Sequence, residues 1–117
     1  MRPYNVFMET SEQFLDRAMK LLQRSDPIPK LLPQVRLGRM AKDSPSLIAI
    51  LESWLEAFMQ VLKDGQAVLN VEGALRLDPN PRIAVLIEAG VLTEDQPYVQ
   101  TVRDAWSAAL QAAQQRR

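Results

Sequence analysis

A chain of 117 residues with 47% hydrophobic and 24% charged side chains has room for one hydrophobic core but not for two full domains, and its balance is that of a folded chain. The absence of both cysteine and histidine rules out disulfides, thiolate metal sites, Ser-His-Asp and Cys-His catalysis, and removes the usual general base near neutral pH. A formal net charge of zero argues against a general polyanion binder.

Taken in chain order, Thr10 followed by Gln13 fits a capping box and predicts a helix to about Arg24, with Phe14, Leu15, Ala18, Met19, Leu21 and Leu22 on one face. The segment Ser25 to Pro33 carries three prolines. It reads as a rigid connector, with a short helix expected from about Pro33 to Ala41. Ser44-Pro45 marks the start of the longest helix, over 45–64, and Gly65 reads as the residue just beyond it. Apolar residues from Leu47 to Leu62 fill an arc of roughly 200° on that helix, about twice what one buried stripe needs, so this helix is read as central or shared. Leu51 and Phe58 fall near the middle of the arc, and Ile48 and Met59 at its edges.

Residues 66–77 (QAVLNVEGALRL) fit either alternation around Glu72-Gly73 or one helical face, and a short β-hairpin near 67–77 or a loop is favoured. Asp78-Pro-Asn-Pro81 precedes a short apolar helix closed by Gly90. The last helix is expected from about Glu94 to Gln114, with Thr93 and Gln96 as its capping pair and an apolar stripe of roughly 120° that includes Trp106. No repeat of 20 to 50 residues is visible. The fold class is therefore all-α, a compact bundle of four to five helices around the 45–64 helix, in a single domain spanning 1–117.

The four glycines are isolated, so no dinucleotide fingerprint or Walker loop is present to cradle phosphates. Glu52 and Glu56 lie one turn apart on a polar face and read as solvated carboxylates, without the Glu-x-x-His of a di-iron helix. A helix-turn-helix reading of residues 82–102 fails because Glu94 and Asp95 would meet the phosphate backbone. No cofactor or metal is expected, and the protein is not expected to be an enzyme.

Charge is distributed unevenly. Arg17, Lys20, Arg24, Lys30, Arg36, Arg39 and Lys42 stand against Asp26 alone between 17 and 42, whereas acids dominate from Asp43 to Gln100. Arg36, Arg39 and Lys42 are the candidate contacts for nucleic acid, the alternative reading, although no aromatic residues interleave them for base stacking. Trp54 and Trp106 fit core packing or an interface anchor. The favoured reading is a protein-binding or regulatory module that forms a homodimer, with Ile48, Met59, Trp54 and Trp106 as candidate interface residues. The N-terminal Tyr4, Val6 and Phe7 could instead cover part of the central helix. With no secretory h-region at the start and no membrane span, the chain is expected to be cytoplasmic and not membrane-bound.

Overall fold

Thr10 opens the first helix by a reciprocal exchange: its hydroxyl accepts from the Gln13 backbone N–H at 3.1 Å, and the Gln13 side chain accepts from the Thr10 N–H at 3.0 Å. Two otherwise unpaired helix-end donors are thereby satisfied. The structure, a computed structural model, describes residues 9–116. Within them the order is α1 (Ser11–Ser25), α2 (Ile28–Arg36), α3 (Pro45–Gly65), α4 (Val71–Arg76), α5 (Asn80–Glu88) and α6 (Pro97–Gln115). Tyr4, Val6 and Phe7 lie outside the described residues.

The all-α expectation holds, and α3 is central: α1 packs on one side of it and α6 on another, while α4 sits against α6 and α1. The fully buried Leu47, Leu51, Leu55 and Leu62 of α3 and Val99 and Val102 of α6 lie at the centre of the core. By length and hydropathy α3 is the one described helix that could cross a membrane. Two sides of its apolar arc are engaged by α1 and α6.

Four expectations about boundaries are corrected. Residues 67–77 form no hairpin, because the Asn70 side chain accepts from the Gly73 N–H at 2.8 Å and caps α4. The prolines of the connector begin a helix instead of breaking one. Asp26 accepts from the Ile28 N–H at 2.9 Å, Pro27 is the N-cap and Pro29 falls in the first turn, where a missing N–H costs nothing. Pro33 is tolerated inside α2 on its exposed side, where water can satisfy the carbonyl it leaves free. The last helix starts at Pro97, although the expected Thr93 N–H to Gln96 side-chain bond is present at 2.7 Å. Gly65, finally, ends α3 from inside. A Cβ there would meet Leu69 at 2.6 Å and Phe14 at 3.0 Å, so close approach of the α4 lead-in and α1 is what requires glycine.

The chain also repeats itself. Asp26-Pro27-x-Pro29, Gly38, Pro45 and Trp54 recur as Asp78-Pro79-x-Pro81, Gly90, Pro97 and Trp106, each 52 residues later. The backbone follows the same register. α2 and α5 superimpose in numbering from first residue to last, α3 and α6 both begin at the shared proline, and Gly38 and Gly90 have φ of 74° and 81°. Each Asp accepts from the N–H two residues on, at 2.9 Å in both corners. Each indole N–H donates to the carbonyl 32 residues before it, Trp54 to Leu22 at 3.3 Å and Trp106 to Ala74 at 2.8 Å. The fold is two copies of a helix, short helix, long helix unit stacked side by side, with α3 and α6 as the paired long helices. The period lies just beyond the 20 to 50 residues within which no repeat is visible in the sequence.

Candidate interaction surface

A stack of two units has one internal interface and two ends. The internal interface uses α3 residues Leu51, Leu55 and Leu62, exposed by at most 1%. It also uses Val102, Ala105 and Ala109 of α6, buried to 1%, 7% and 0%. Its far edge is pinned by an ion pair between the units: Arg82 of α5 meets Asp26 at 2.7 Å, with the Asp26 side chain almost wholly buried. Asp78, at the equivalent corner of the second unit, instead accepts from the backbone and side chain of Asn80.

The end formed by α6 is polar. Where α3 has Leu51, Leu55, Met59 and Leu62, α6 has Arg103, Ser107, Gln111 and Gln114. Arg103 is held in place by donating to the Asn80 side chain at 2.9 Å. A polar outer face is what the terminal unit of a stack needs in water.

The end formed by α1 and α3 is different. The positions of α3 that match the buried Val102, Ala105 and Ala109 are Ile50, Ser53 and Ala57. Together with Ala49, Trp54 and Ser25 they line an open groove. Ile50 is 43% exposed and Leu21, one turn before Ser25 on α1, is 42% exposed. Among the described residues, no charged side chain lines this groove. The apolar arc of α3 thus divides into three sides, facing α1, α6 and solvent.

The residues singled out in the sequence fall on other sides. Trp54 is buried between α1 and α3, its ring 5.4 Å from Phe58 in an edge-to-face pair, and only its margin reaches the open groove. Trp106 is half-buried against the core. Met59 lines the cleft between α3 and α6 with Glu52, Glu56 and Tyr98, and Ile48 is half-buried at the start of α3. The structure therefore does not bring Ile48, Met59, Trp54 and Trp106 together on one surface. In the α3–α6 cleft the Tyr98 hydroxyl is buried and finds no partner among the described residues. Burial, and then the Glu52 charge, raise its pKa above the usual tyrosine value.

Of the basic candidates, Arg36 and Lys42 line one shallow groove together with Glu88, and Arg39 lies outside it. Part of the positive excess is answered locally. Arg17 donates to both Glu9 carboxylate oxygens, at 2.8 and 2.9 Å, and holds the Glu9 carboxyl below the usual carboxylate range. Lys20 pairs with Asp16 at 3.1 Å. Glu52 and Glu56 are both exposed, and no group of three or more acidic side chains among the described residues could hold a metal ion.

Ala49, Ile50, Ser53 and Ala57 carry no chemistry that a motif search would find. Aligned at the 52-residue period, Ile50, Ser53 and Ala57 have the buried Val102, Ala105 and Ala109 as their counterparts in α6. Compared with protein-family models, with curated proteins and with solved structures, the chain matches none.

Proposed function

We propose that this chain is a non-enzymatic protein-interaction module that associates with itself. The observation that carries this reading is the difference between its two ends: one is polar and finished, whereas the other leaves Leu21, Ile50 and Ala57 on a side whose counterpart is buried. Contiguous apolar surface rimmed by polar residues is the ordinary mark of a protein contact. The missing histidine and cysteine take away the common nucleophile and base pairings. Neither Glu52 nor Glu56 is enclosed, so neither is set up for acid-base work.

The nucleic-acid reading gains less support, since Glu88 sits among the cations it would need and the chain is neutral overall. Size exclusion coupled to light scattering, after nuclease treatment, tests the proposal. Twice the chain mass is expected, and a monomer at about 0.5 mM would refute self-association. Retention on a nucleic-acid column at about 150 mM salt, lost when Arg36, Arg39 and Lys42 become glutamate, would favour the alternative.

A further inference from the structure

Resting on the self-association reading, we infer that a second copy docks on the outer side of α3, through Ala49, Ile50, Ser53 and Ala57, about a two-fold axis passing near Ser53. Within one chain, the same side of the equivalent helix is covered: Val102, Ala105 and Ala109 are buried against α3. The long helix of this unit is therefore built to meet another helix on that side, and on α3 no helix among the described residues is there. Small side chains at 49, 53 and 57, one turn apart, let a second backbone come close, as Ala105 and Ala109 do for α6.

The occupant follows from the two ends. Stacking head to tail would place this side against the outer side of α6, where Arg103, Ser107, Gln111 and Gln114 offer no apolar surface. Arg103 is moreover already engaged with Asn80. Between copies of this chain the open side therefore matches itself and not the outer side of α6, and a surface that meets its own copy closes at two. Such a surface must not repel itself, and no charged residue among those described lines the groove.

Because the chain has no cysteine, Ser53→Cys provides a single reporter on an exposed position. Near a two-fold axis its sulfur meets that of the partner, within the few ångströms a disulfide spans. Mild oxidation of the full chain is expected to link this variant rapidly into dimers, and to leave Gln111→Cys, at the polar end, largely unlinked. Ser53→Glu and Ile50→Glu, with helicity checked by circular dichroism, are expected to weaken the dimer by about a hundredfold or more, since each buries carboxylates without partners. Gln111→Glu should leave it unchanged. A dimer that survives both glutamates but dissociates with Met59→Lys would overturn this face while preserving self-association. If only a chain lacking residues 1–8 dimerises, the groove belongs to the N-terminal segment and the inference falls. A monomer in every variant, wild type included, would overturn both.

Discussion

α3 and α6 are the same element of the same unit, yet one is leucine-rich on two sides and the other carries arginine, serine and glutamine where its counterpart carries leucine or methionine. Leu51, Leu55 and Leu62 against Arg103, Ser107 and Gln114 mark the difference between a helix with a neighbour on that side and a helix without one. The fold template, set by Asp-Pro-x-Pro, glycine, proline and tryptophan, is shared. What varies is the burial each position experiences, and composition follows burial. The roughly 200° arc of α3 is wider than the roughly 120° stripe of α6 because α3 is apolar on its open side as well as on the sides that meet α1 and α6, whereas α6 is apolar only where α3 and α4 cover it.

The largest test of this comparison is the tryptophan pair. Both indoles bond to the equivalent carbonyl, but Trp54 is 4% exposed and stacked edge-on with Phe58, whereas Trp106 is half-buried and has Leu110 in the place of Phe58. Trp54→Ala should therefore cost about 3–5 kcal/mol, the usual range for emptying an aromatic site, and Trp106→Ala about half as much. Urea unfolding at one fixed protein concentration measures both. Equal losses would show that the second unit is packed as tightly as the first.

The corners give a smaller contrast. Asparagine at position 26 keeps the acceptor for the Ile28 N–H but removes the charge facing Arg82, so Asp26→Asn isolates the ion pair between the units. Because Arg82 is partly exposed and can turn to water, the loss should be about 1–2 kcal/mol, well short of what a fully buried pair would show. Asp78→Asn, whose partners are both on Asn80, should change stability by less than about 0.5 kcal/mol. The reverse order would mean that the Asp26 bridge does not hold the units together.

Much of the scaffold was legible in the sequence, for reasons that are local. The Thr10–Gln13 box, Pro45 at a helix start and the apolar arc of 45–64 act over a few residues, and each is where it was expected. The elements that differ from expectation are those where a residue's position in the helix outweighs its type. A helix start accepts the prolines at 27 and 29, Pro33 lies on the exposed side of α2, and Gly73 lies inside α4 instead of in a hairpin turn. Asn70, three residues earlier, is its capping partner, and a Cβ on Gly73 would meet Leu69 and the Ser11 hydroxyl. The repeat was hidden because its shared residues are corners and anchors, separated by stretches such as Lys30–Leu37 and Arg82–Ala89 that keep little in common. The candidate face was hidden for a further reason. Alanine, serine and isoleucine on a helix are unremarkable, and their meaning emerges only when the equivalent positions are seen buried elsewhere.

Tyr98 gives the finest contrast between the units. It stands where α3 has Ser46, so its ring is an addition of the second unit, lying in the cleft between the long helices beside Glu52 and Met59. Its hydroxyl is buried without a partner among the described residues, and leaving a polar group in that state costs about 1–3 kcal/mol. Tyr98→Phe keeps the ring and deletes the unpaired group, so stability at neutral pH should stay level or rise, by up to about 1 kcal/mol, where most core substitutions lower it. The same burial fixes a sign at high pH. With the folded pKa raised above the unfolded value, the folded state holds its proton longer, so this contribution is complete below the ordinary tyrosine pKa and is lost as pH climbs through the folded one. The wild type should therefore lose stability on the alkaline side more steeply than Tyr98→Phe, and tyrosinate absorbance should contain a late-titrating component that the variant lacks. A Tyr98→Phe variant clearly less stable at neutral pH would mean that the hydroxyl is bonded, and that the cleft between α3 and α6 is more polar than its lining residues imply.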